Sequence, residues 1–290
     1  MNTRKITPDQ LPVNSDGSIF HLHLRPEQLA DKVVMMGDPE RVRVVASYFD
    51  STEFEVQSRE FRTITGSYKG KRITALSHGI GCDNIDIVMN ELDALANIDL
   101  NTREIKPDFR QLTLVRIGTS GGLQPLAPIG SYVASEISMG MDGLLYFYED
   151  GEKVNLEELT EKFIRHTQWN NRLARPYFVS CDKELLKQVG FDMVKGITIS
   201  ASGFYGPQGR HVRLDLTHPE QNACLESFEY EGLKICNYEM ESSALAGLAN
   251  LMGHKAMTAC LIIAGRHSGA MNTNYKGSFD GLITKVLDRI

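Results

Sequence analysis

The chain has 290 residues, of which 42% are hydrophobic and 23% are charged. These values are ordinary for one large globular domain or two small ones, and a chain of this length can bury a substantial core. The formal net charge of −6 at pH 7 argues against a general nucleic-acid-binding or membrane-binding surface, so any anion site must be local.

The five cysteines are scattered, odd in number and without a CxxC pair. This pattern favours a reducing compartment over a disulfide framework or a zinc site. The first ten residues, MNTRKITPDQ, lack the apolar core of a signal peptide, and the longest apolar run, around CLIIA, is far too short to span a bilayer. We therefore expect a cytoplasmic protein.

Short apolar runs alternate with helical patterns along the chain. The predicted strands are residues 32–36, 72–77, 112–117, 131–135, 196–200, 233–237 and 257–264. Helical stripes run through residues 84–97 and 241–252 and continue in the terminal LITKVLDRI. Because no repeat or linker interrupts this alternation, we predict one domain over residues 1–290, an α/β fold with three α/β/α layers around a mixed sheet. Residues 1–17 are expected to form an irregular N-terminal extension.

The first predicted strand ends in MMGDPERV. Gly37 permits a tight turn, Pro39 suits the first turn of a helix, and Arg41 would project beside that helix N-terminus. Backbone N–H groups at a helix N-terminus favour an anion, especially with a guanidinium nearby. The alternative is a plain strand-to-helix turn with Arg41 as a solvated surface residue.

The stretch RIGTSGG repeats this design after the apolar run LTLV. Arg116 places a charge at the end of an apolar strand, and residues 118–121 are predicted to form a small-residue loop with hydroxyls and approachable N–H groups. No Gly-Lys-Ser/Thr follows, so this is not a Walker loop. A buried arginine needs a partner, and an internal ion pair is the alternative. Two such strand ends favour a shared anion, and phosphate leads because arginine forks match its oxygens.

The run NYEMESS, residues 237–243, places Glu239 and Glu241 around Met240, immediately before an apolar helix. Acids in this position favour a helix N-terminus, so both could serve the helix alone. Carboxylates also suit sugar recognition, because both oxygens accept hydrogen bonds from hydroxyl groups.

Six motifs, in this order from about Phe20 onward, resemble those of nucleoside phosphorylases of the uridine phosphorylase type: GDPERV, SREF, SHGIG, RIGTSGG, FYGPQGR and YEMESS. The resemblance covers nearly the whole chain. It implies that the anion is inorganic phosphate, a reactant that attacks the sugar. The residues implied in holding it are Gly37, Arg41, Arg116, Thr119 and, from the adjacent subunit, Arg59.

The resemblance also implies a nucleoside site. Glu241 would accept hydrogen bonds from the ribose hydroxyls, Met240 would pack on the sugar, and His21 of the adjacent subunit would reach the 5′-hydroxyl. His78 in SHGIG is expected to pack beside the phosphate loop. The other implied nucleoside-binding residues are Ser120, Gly121, Phe204, Gln208, Arg210, Glu239 and Arg266.

Uracil is the implied base. The Gln208 amide complements the N3–H and a carbonyl of a pyrimidine, Arg210 forks onto a carbonyl oxygen, and Phe204 stacks on the ring. Arg266 in IIAGRHSG aligns with an arginine that holds the O4 edge. Related purine nucleoside phosphorylases typically carry an aspartate in this region, and none lies between positions 264 and 270.

The implied activity is reversible phosphorolysis of uridine to uracil and ribose 1-phosphate, with Arg116, Gln208, Arg210 and Glu241 as catalytic residues. Phosphate is a co-substrate, and we expect no organic cofactor, no nucleic-acid partner and at least a homodimer. Glu60 is a candidate ligand for a monovalent cation at the interface.

The alternative functions are a hydrolytic nucleosidase of the same fold, a purine nucleoside phosphorylase and a non-enzymatic nucleoside-binding protein. We assign no chemical role to residues 150–177.

Overall fold

The computed structural model describes residues 5–266 and 268–290, within which there are thirteen strands and seven α-helices. The strands are β1 Lys32–Met36, β2 Ser51–Ser58, β3 Phe61–Tyr68, β4 Lys71–Ser77, β5 Ile98–Asp99, β6 Glu104–Ile105, β7 Thr113–Gly122, β8 Tyr132–Gly140, β9 Tyr177–Ser180, β10 Val194–Ser200, β11 Glu229–Tyr230, β12 Leu233–Glu239 and β13 Lys255–Gly265. The helices are α1 Pro39–Ala46, α2 Cys82–Asn97, α3 Glu157–Thr167, α4 Lys183–Val189, α5 Gln221–Glu226, α6 Ser242–Met252 and α7 Lys276–Arg289.

Eleven strands form one mixed sheet in the order β11-β12-β10-β8-β13-β7-β1-β4-β3-β2, with β9 added beside β8. Strands β4, β1, β7 and β13 run parallel to one another. Strand β12 also pairs antiparallel with the end of β7, so β12, β10, β8, β13 and β7 close into a ring. The α/β prediction with a central mixed sheet is therefore confirmed.

The two faces of β1 show why helices cover both sides of the sheet. Successive strand side chains point to opposite faces. Val33 and Met35 pack in a core with α2 and α6, whereas Val34 and Met36 pack in a second core with α1, α4 and α7. Because every apolar residue of β1 is buried on one face or the other, the strand has the continuous apolar sequence that the prediction relied on.

All seven predicted strands are present: β1 has the predicted ends, and the other six differ from the prediction by one to five residues at an end. One difference matters for the site: β7 continues through Gly122, so the predicted loop at residues 118–121 is wrong. The stretch stays extended because Gly121 and Gly122 pair with β13 on one side and with Tyr238 and Asn237 of β12 on the other. Small residues are needed here, since a Cβ on Gly122 would lie 2.8 Å from the Ala127 carbonyl oxygen.

The predicted helices are confirmed as α2, α6 and α7. Residues 150–177, to which the sequence analysis assigns no chemical role, contain a short 3-10 turn, helix α3 and the approach to β9. Leu159 and Phe163 of α3 are buried in a third apolar core together with Phe178 of β9. Within the described ranges, no helix combines the length and apolarity needed to cross a membrane.

Candidate active site

A cavity of about 950 Å³ opens where the parallel strands β1, β4, β7 and β13 reach their carboxyl ends. Ligands of open α/β sheets collect at this edge, because loops and helix N-termini meet there. The predicted residues in its lining are Gly37, Arg41, Arg116, Thr119, Ser120, Gly121, Phe204, Gln208, Arg210, Glu239, Met240 and Glu241. Residues separated by up to about two hundred positions in the chain therefore share one cavity.

Arg116 forms the buried centre of this cavity wall and is only 4% exposed. Its Nη1 lies 2.9 Å from Glu239 Oε2, its Nη2 donates to Glu241 Oε2, and its Nε donates to His78 Nε2 at 3.2 Å. The internal ion pair left open by the sequence is thus present, on a side chain that also lines the cavity. Burial alone would lower the pKa of Arg116, but the two acids outweigh it and hold the pKa above its usual value.

The antiparallel pairing of β12 with β7 explains how both acids reach Arg116. Tyr238 lies opposite Gly121, so the chain beyond Tyr238 runs back along β7 toward Arg116. Strand β12 then ends at Glu239, and α6 begins at Ser242. The turn between them therefore delivers two acidic side chains to one guanidinium.

Glu239 serves the helix as well as the arginine. Its carboxylate accepts from the backbone N–H of Glu241 at 2.9 Å and of Ser242 at 3.0 Å, and from the hydroxyls of Ser200 and Ser242 at 2.7 Å. It thereby satisfies N–H groups at the start of α6 that have no partner within the helix. The helix-terminus interpretation is correct for Glu239, whose oxygens are already used by the protein.

Glu241 keeps more of its capacity to accept hydrogen bonds. One oxygen accepts from the Gly81 backbone N–H at 2.8 Å and the other from Arg116, which leaves further lone-pair positions on the wall of the cavity. Burial raises the pKa of Glu241 from 4.5 to about 7; Arg116 opposes this shift and Glu239 adds to it. Burial therefore favours the protonated form of Glu241 more than it would for an exposed carboxyl group.

Arg41 lies at the same end of the cavity, after β1. Its Nη2 donates to the Tyr275 hydroxyl at 3.1 Å, and its guanidinium carbon lies 4.6 Å from the centre of the Phe279 ring. The side chain is half-buried, so the solvated-surface alternative is wrong. Helix α1 begins beside it at Pro39, with Asp38 as the capping residue.

Gln208 organises the opposite end of the cavity. It is 3% exposed, and its Oε1 accepts from Arg210 Nη1 at 2.6 Å and from Arg266 Nη2 at 3.2 Å. Burial lowers the pKa of Arg210 to about 10, and the positive charge of the neighbouring Arg266 adds to this shift. Arg266 Nε is buried and has no hydrogen-bond partner in the described part of the chain.

Phe204 borders this end, but one of its faces is already covered. The guanidinium carbon of Arg210 lies 3.6 Å from the ring centre, and Phe204 as a whole is 49% exposed. A base stacking on Phe204 would use the other face. His267, which follows Arg266 in the motif IIAGRHSG, lies outside the described residues.

His21 and Arg59 do not line this cavity, and their contribution to a neighbouring subunit stays a prediction. They lie close together: the Phe20 ring is 4.8 Å from the His21 ring and 5.7 Å from the Arg59 guanidinium carbon. His21 Nδ1 lies 2.6 Å from Glu91 Oε1 on α2. This contact orients the imidazole, and sequence reasoning gave no sign of it.

The sequence also missed apolar residues at the cavity. Ile80 and Met271 are 69% and 64% exposed and lie in its lining, as does the buried Tyr238. Ile80 and Tyr238 lie inside the motifs SHGIG and NYEMESS, which was the available signal. Met271 follows no recognisable pattern.

Comparisons with known proteins identify the family. The model of the Phosphorylase superfamily matches residues 31–285, so the chain belongs to that superfamily. A uridine phosphorylase from Thermococcus kodakarensis is 28% identical over 268 residues, covering 90% of this chain and 83% of the relative. A solved Trypanosoma brucei nucleoside phosphorylase, described as showing uridine phosphorylase activity, superposes with a TM-score of 0.84 at 27% identity, covering 97% of this chain and 100% of its own. A DeoD-type purine nucleoside phosphorylase from Roseobacter denitrificans is 38% identical over 107 residues, 37% of this chain and 40% of the relative.

The raised pKa of Glu241 predicts a specific pH dependence of stability. Between its ordinary pKa of 4.5 and its native pKa of about 7, the native chain holds more protons than the unfolded chain. The free energy of unfolding should therefore fall as pH rises through this window, by at most about 1.4 kcal/mol per pH unit. Glu241→Gln should lack this contribution in urea unfolding measured from pH 5 to pH 8.

The control is Glu184→Gln, which removes an exposed carboxylate of α4 outside the cavity. The stability of wild type relative to Glu241→Gln should decline with pH, whereas the difference from Glu184→Gln should not follow that curve. A constant or rising difference for Glu241→Gln would contradict the assignment.

Proposed function

We propose that this chain is a uridine phosphorylase, a pentosyltransferase that converts uridine and phosphate reversibly to uracil and ribose 1-phosphate. One observation carries the proposal: the lining of a single cavity holds Arg41 and Arg116 in one group and Gln208 and Arg210 in another, with Arg266 donating to Gln208. The first pair matches an oxyanion, and the second matches the amide and carbonyl edge of a pyrimidine. The Thermococcus and Trypanosoma relatives support the same activity.

The phosphate end accounts for the attack. Arg41, Arg116, Thr119 and the turn at Gly37 hold phosphate below the sugar, so that one of its oxygens forms a bond to C1′ as the C1′–N1 bond breaks. Prior positioning removes much of the entropic cost of a two-substrate encounter. Negative charge beside a sugar with oxocarbenium character also stabilises the transition state.

The base end accounts for the departure of uracil. The electron pair of the broken bond passes to the uracil ring and its carbonyl oxygens. Arg210 and Arg266 supply charged donors for those oxygens, and their mutual contact with Gln208 fixes their positions. Preorganised donors of this type contribute roughly 10²- to 10³-fold to a rate.

Glu241 links the two ends. Its free lone pairs accept from the ribose hydroxyls, and its protonated form lowers the negative charge beside the incoming phosphate. Protonation also releases Arg116 from one of its two acid partners, which frees an N–H group for the phosphate. Met240 packs on the sugar, and Ser120 and Gly121 complete the wall.

The assembly, cofactor and location are part of the same proposal. The clustering of Phe20, His21 and Arg59 supports a shared interface in at least a homodimer. Glu60 follows Arg59 in the chain, lies in the cavity lining and is the proposed ligand of a monovalent cation at that interface. The reaction uses phosphate as co-substrate and no organic cofactor. The five unpaired cysteines support a cytoplasmic location, and the net charge of −6 argues against a nucleic-acid partner.

A nucleoside panel assayed with and without phosphate tests the activity. Uridine should release uracil only when phosphate is present, and ribose 1-phosphate should accumulate in equal amount. Uracil release without phosphate would instead identify a nucleosidase, and preference for inosine or adenosine would identify a purine nucleoside phosphorylase. Binding of uridine without turnover would identify a binding protein.

The variant Arg41→Gln tests the phosphate end. Loss of one charged donor should raise KM for phosphate roughly 10- to 100-fold with little change in KM for uridine. Arg116 is less suitable, because its removal would leave Glu239 and Glu241 buried without their cation.

Arg43→Gln is the matched control for Arg41→Gln. Arg43 belongs to the same helix, is 57% exposed in its side chain and pairs with Glu40 and Glu55 outside the cavity. It should keep the wild-type KM for phosphate. Equal effects of the two substitutions would show that Arg41 acts through general charge alone.

A further inference from the structure

His78 occupies an unusual place directly behind the phosphate end of the cavity. It follows β4 and is completely buried, and its backbone N–H continues the pairing with β1 by donating to Met36. A Cβ added to Gly37 would lie 3.9 Å from His78 Cε1, so the imidazole lies beneath the turn after β1. The ring therefore contacts two of the segments that form the cavity, the Gly37 turn and, through its Nε2, Arg116.

The Arg116 guanidinium contacts two carboxylates and an imidazole through its three nitrogen atoms. Its two Nη atoms face the acids Glu239 and Glu241, while its Nε–H donates to His78 Nε2 at 3.2 Å. His78 is thus a neutral acceptor, as is Cys260 Sγ, which lies 3.8 Å from Nη1. A third acid in place of His78 would add negative charge beside an anion site, and an apolar residue would leave a buried guanidinium N–H without an acceptor.

The protonation state of His78 follows from this contact. Because Nε2 accepts a hydrogen bond, the ring proton resides on Nδ1. Burial, with Arg116 as the next cause, lowers the pKa of His78 well below 6.5, which agrees with a neutral ring. Nδ1 is itself buried and has no hydrogen-bond partner among the described residues.

We propose that His78 is a positioning residue for phosphate: it accepts from Arg116 Nε and fixes the plane of the guanidinium that lines the cavity. This inference rests on the proposed function. When Glu241 is protonated or phosphate arrives, the contacts on the Nη side change, but the contact on the Nε side remains. Arg116 then keeps its orientation through the exchange of partners.

Two amide substitutions that differ only in reach test the proposal. The Gln side chain places its carbonyl oxygen near the position of His Nε2, whereas the shorter Asn reaches only the position of Nδ1. His78→Asn should raise KM for phosphate about tenfold or more, because Arg116 Nε loses its acceptor. His78→Gln should stay close to wild type, and KM for uridine should change little in both.

His254 provides a matched control. It is another buried histidine with two polar contacts, to the Leu112 N–H and to Asp93, and it lies next to the opposite end of β13 from the cavity. His254→Asn should lower thermal stability without changing KM for phosphate. Equal phosphate KM values for His78→Asn and His78→Gln would overturn the proposal, as would an equal increase in His254→Asn.

A measurement on the wild-type protein covers the case in which His78→Asn does not fold. Nitrogen-15 spectra of labelled histidines, with the His78 signals assigned by their loss in His78→Gln, should show a neutral ring protonated on Nδ1 from pH 6 to pH 8. A charged ring, or a proton on Nε2, would overturn the proposal. Absence of phosphate-dependent uridine cleavage in wild type would instead remove the proposed function, and this inference with it.

Discussion

The site depends on one buried guanidinium. Arg116 extends from a strand that is paired on both sides, at Met35 of β1 and Thr258 of β13, so its position is fixed by the sheet. A buried cation at such a place requires acidic or neutral acceptors in good geometry. Glu239, Glu241 and His78 supply these acceptors from two other parts of the chain. The contacts that stabilise the buried guanidinium therefore also build part of the cavity wall.

The two acids differ in how many of their oxygen lone pairs are already used in hydrogen bonds within the protein. The carboxylate oxygens of Glu239 accept hydrogen bonds at the start of α6 and from two serine hydroxyls, and they pair with Arg116. Glu239 therefore has a structural role. Glu241 has one backbone contact and one contact to Arg116, and burial raises its pKa. A site that must admit an anion beside acids benefits from one acid whose charge can be removed.

Local pattern predicted much of this architecture, and long-range pairing explains what it missed. The apolar runs identified the strands because β1, β7 and β13 are buried on both faces. The extension of β7 through Gly122 depends on β12, more than a hundred residues later, and no local signal carries that pairing. Most of the residues drawn from the motifs line the cavity, whereas Arg266, His21 and Arg59 are not in its lining. The contacts of Gln208 with Arg266 and of Arg116 with His78 arise only from the folded sheet.

The central claim is that this cavity directs phosphate, and not water, to the anomeric carbon of uridine. The most direct measurement is turnover of uridine with unlabelled phosphate in water enriched in oxygen-18, followed by mass analysis of the sugar product. The account predicts ribose 1-phosphate with no oxygen-18 at C1. Free ribose labelled at C1 as the first product would contradict it, because solvent would then be the nucleophile.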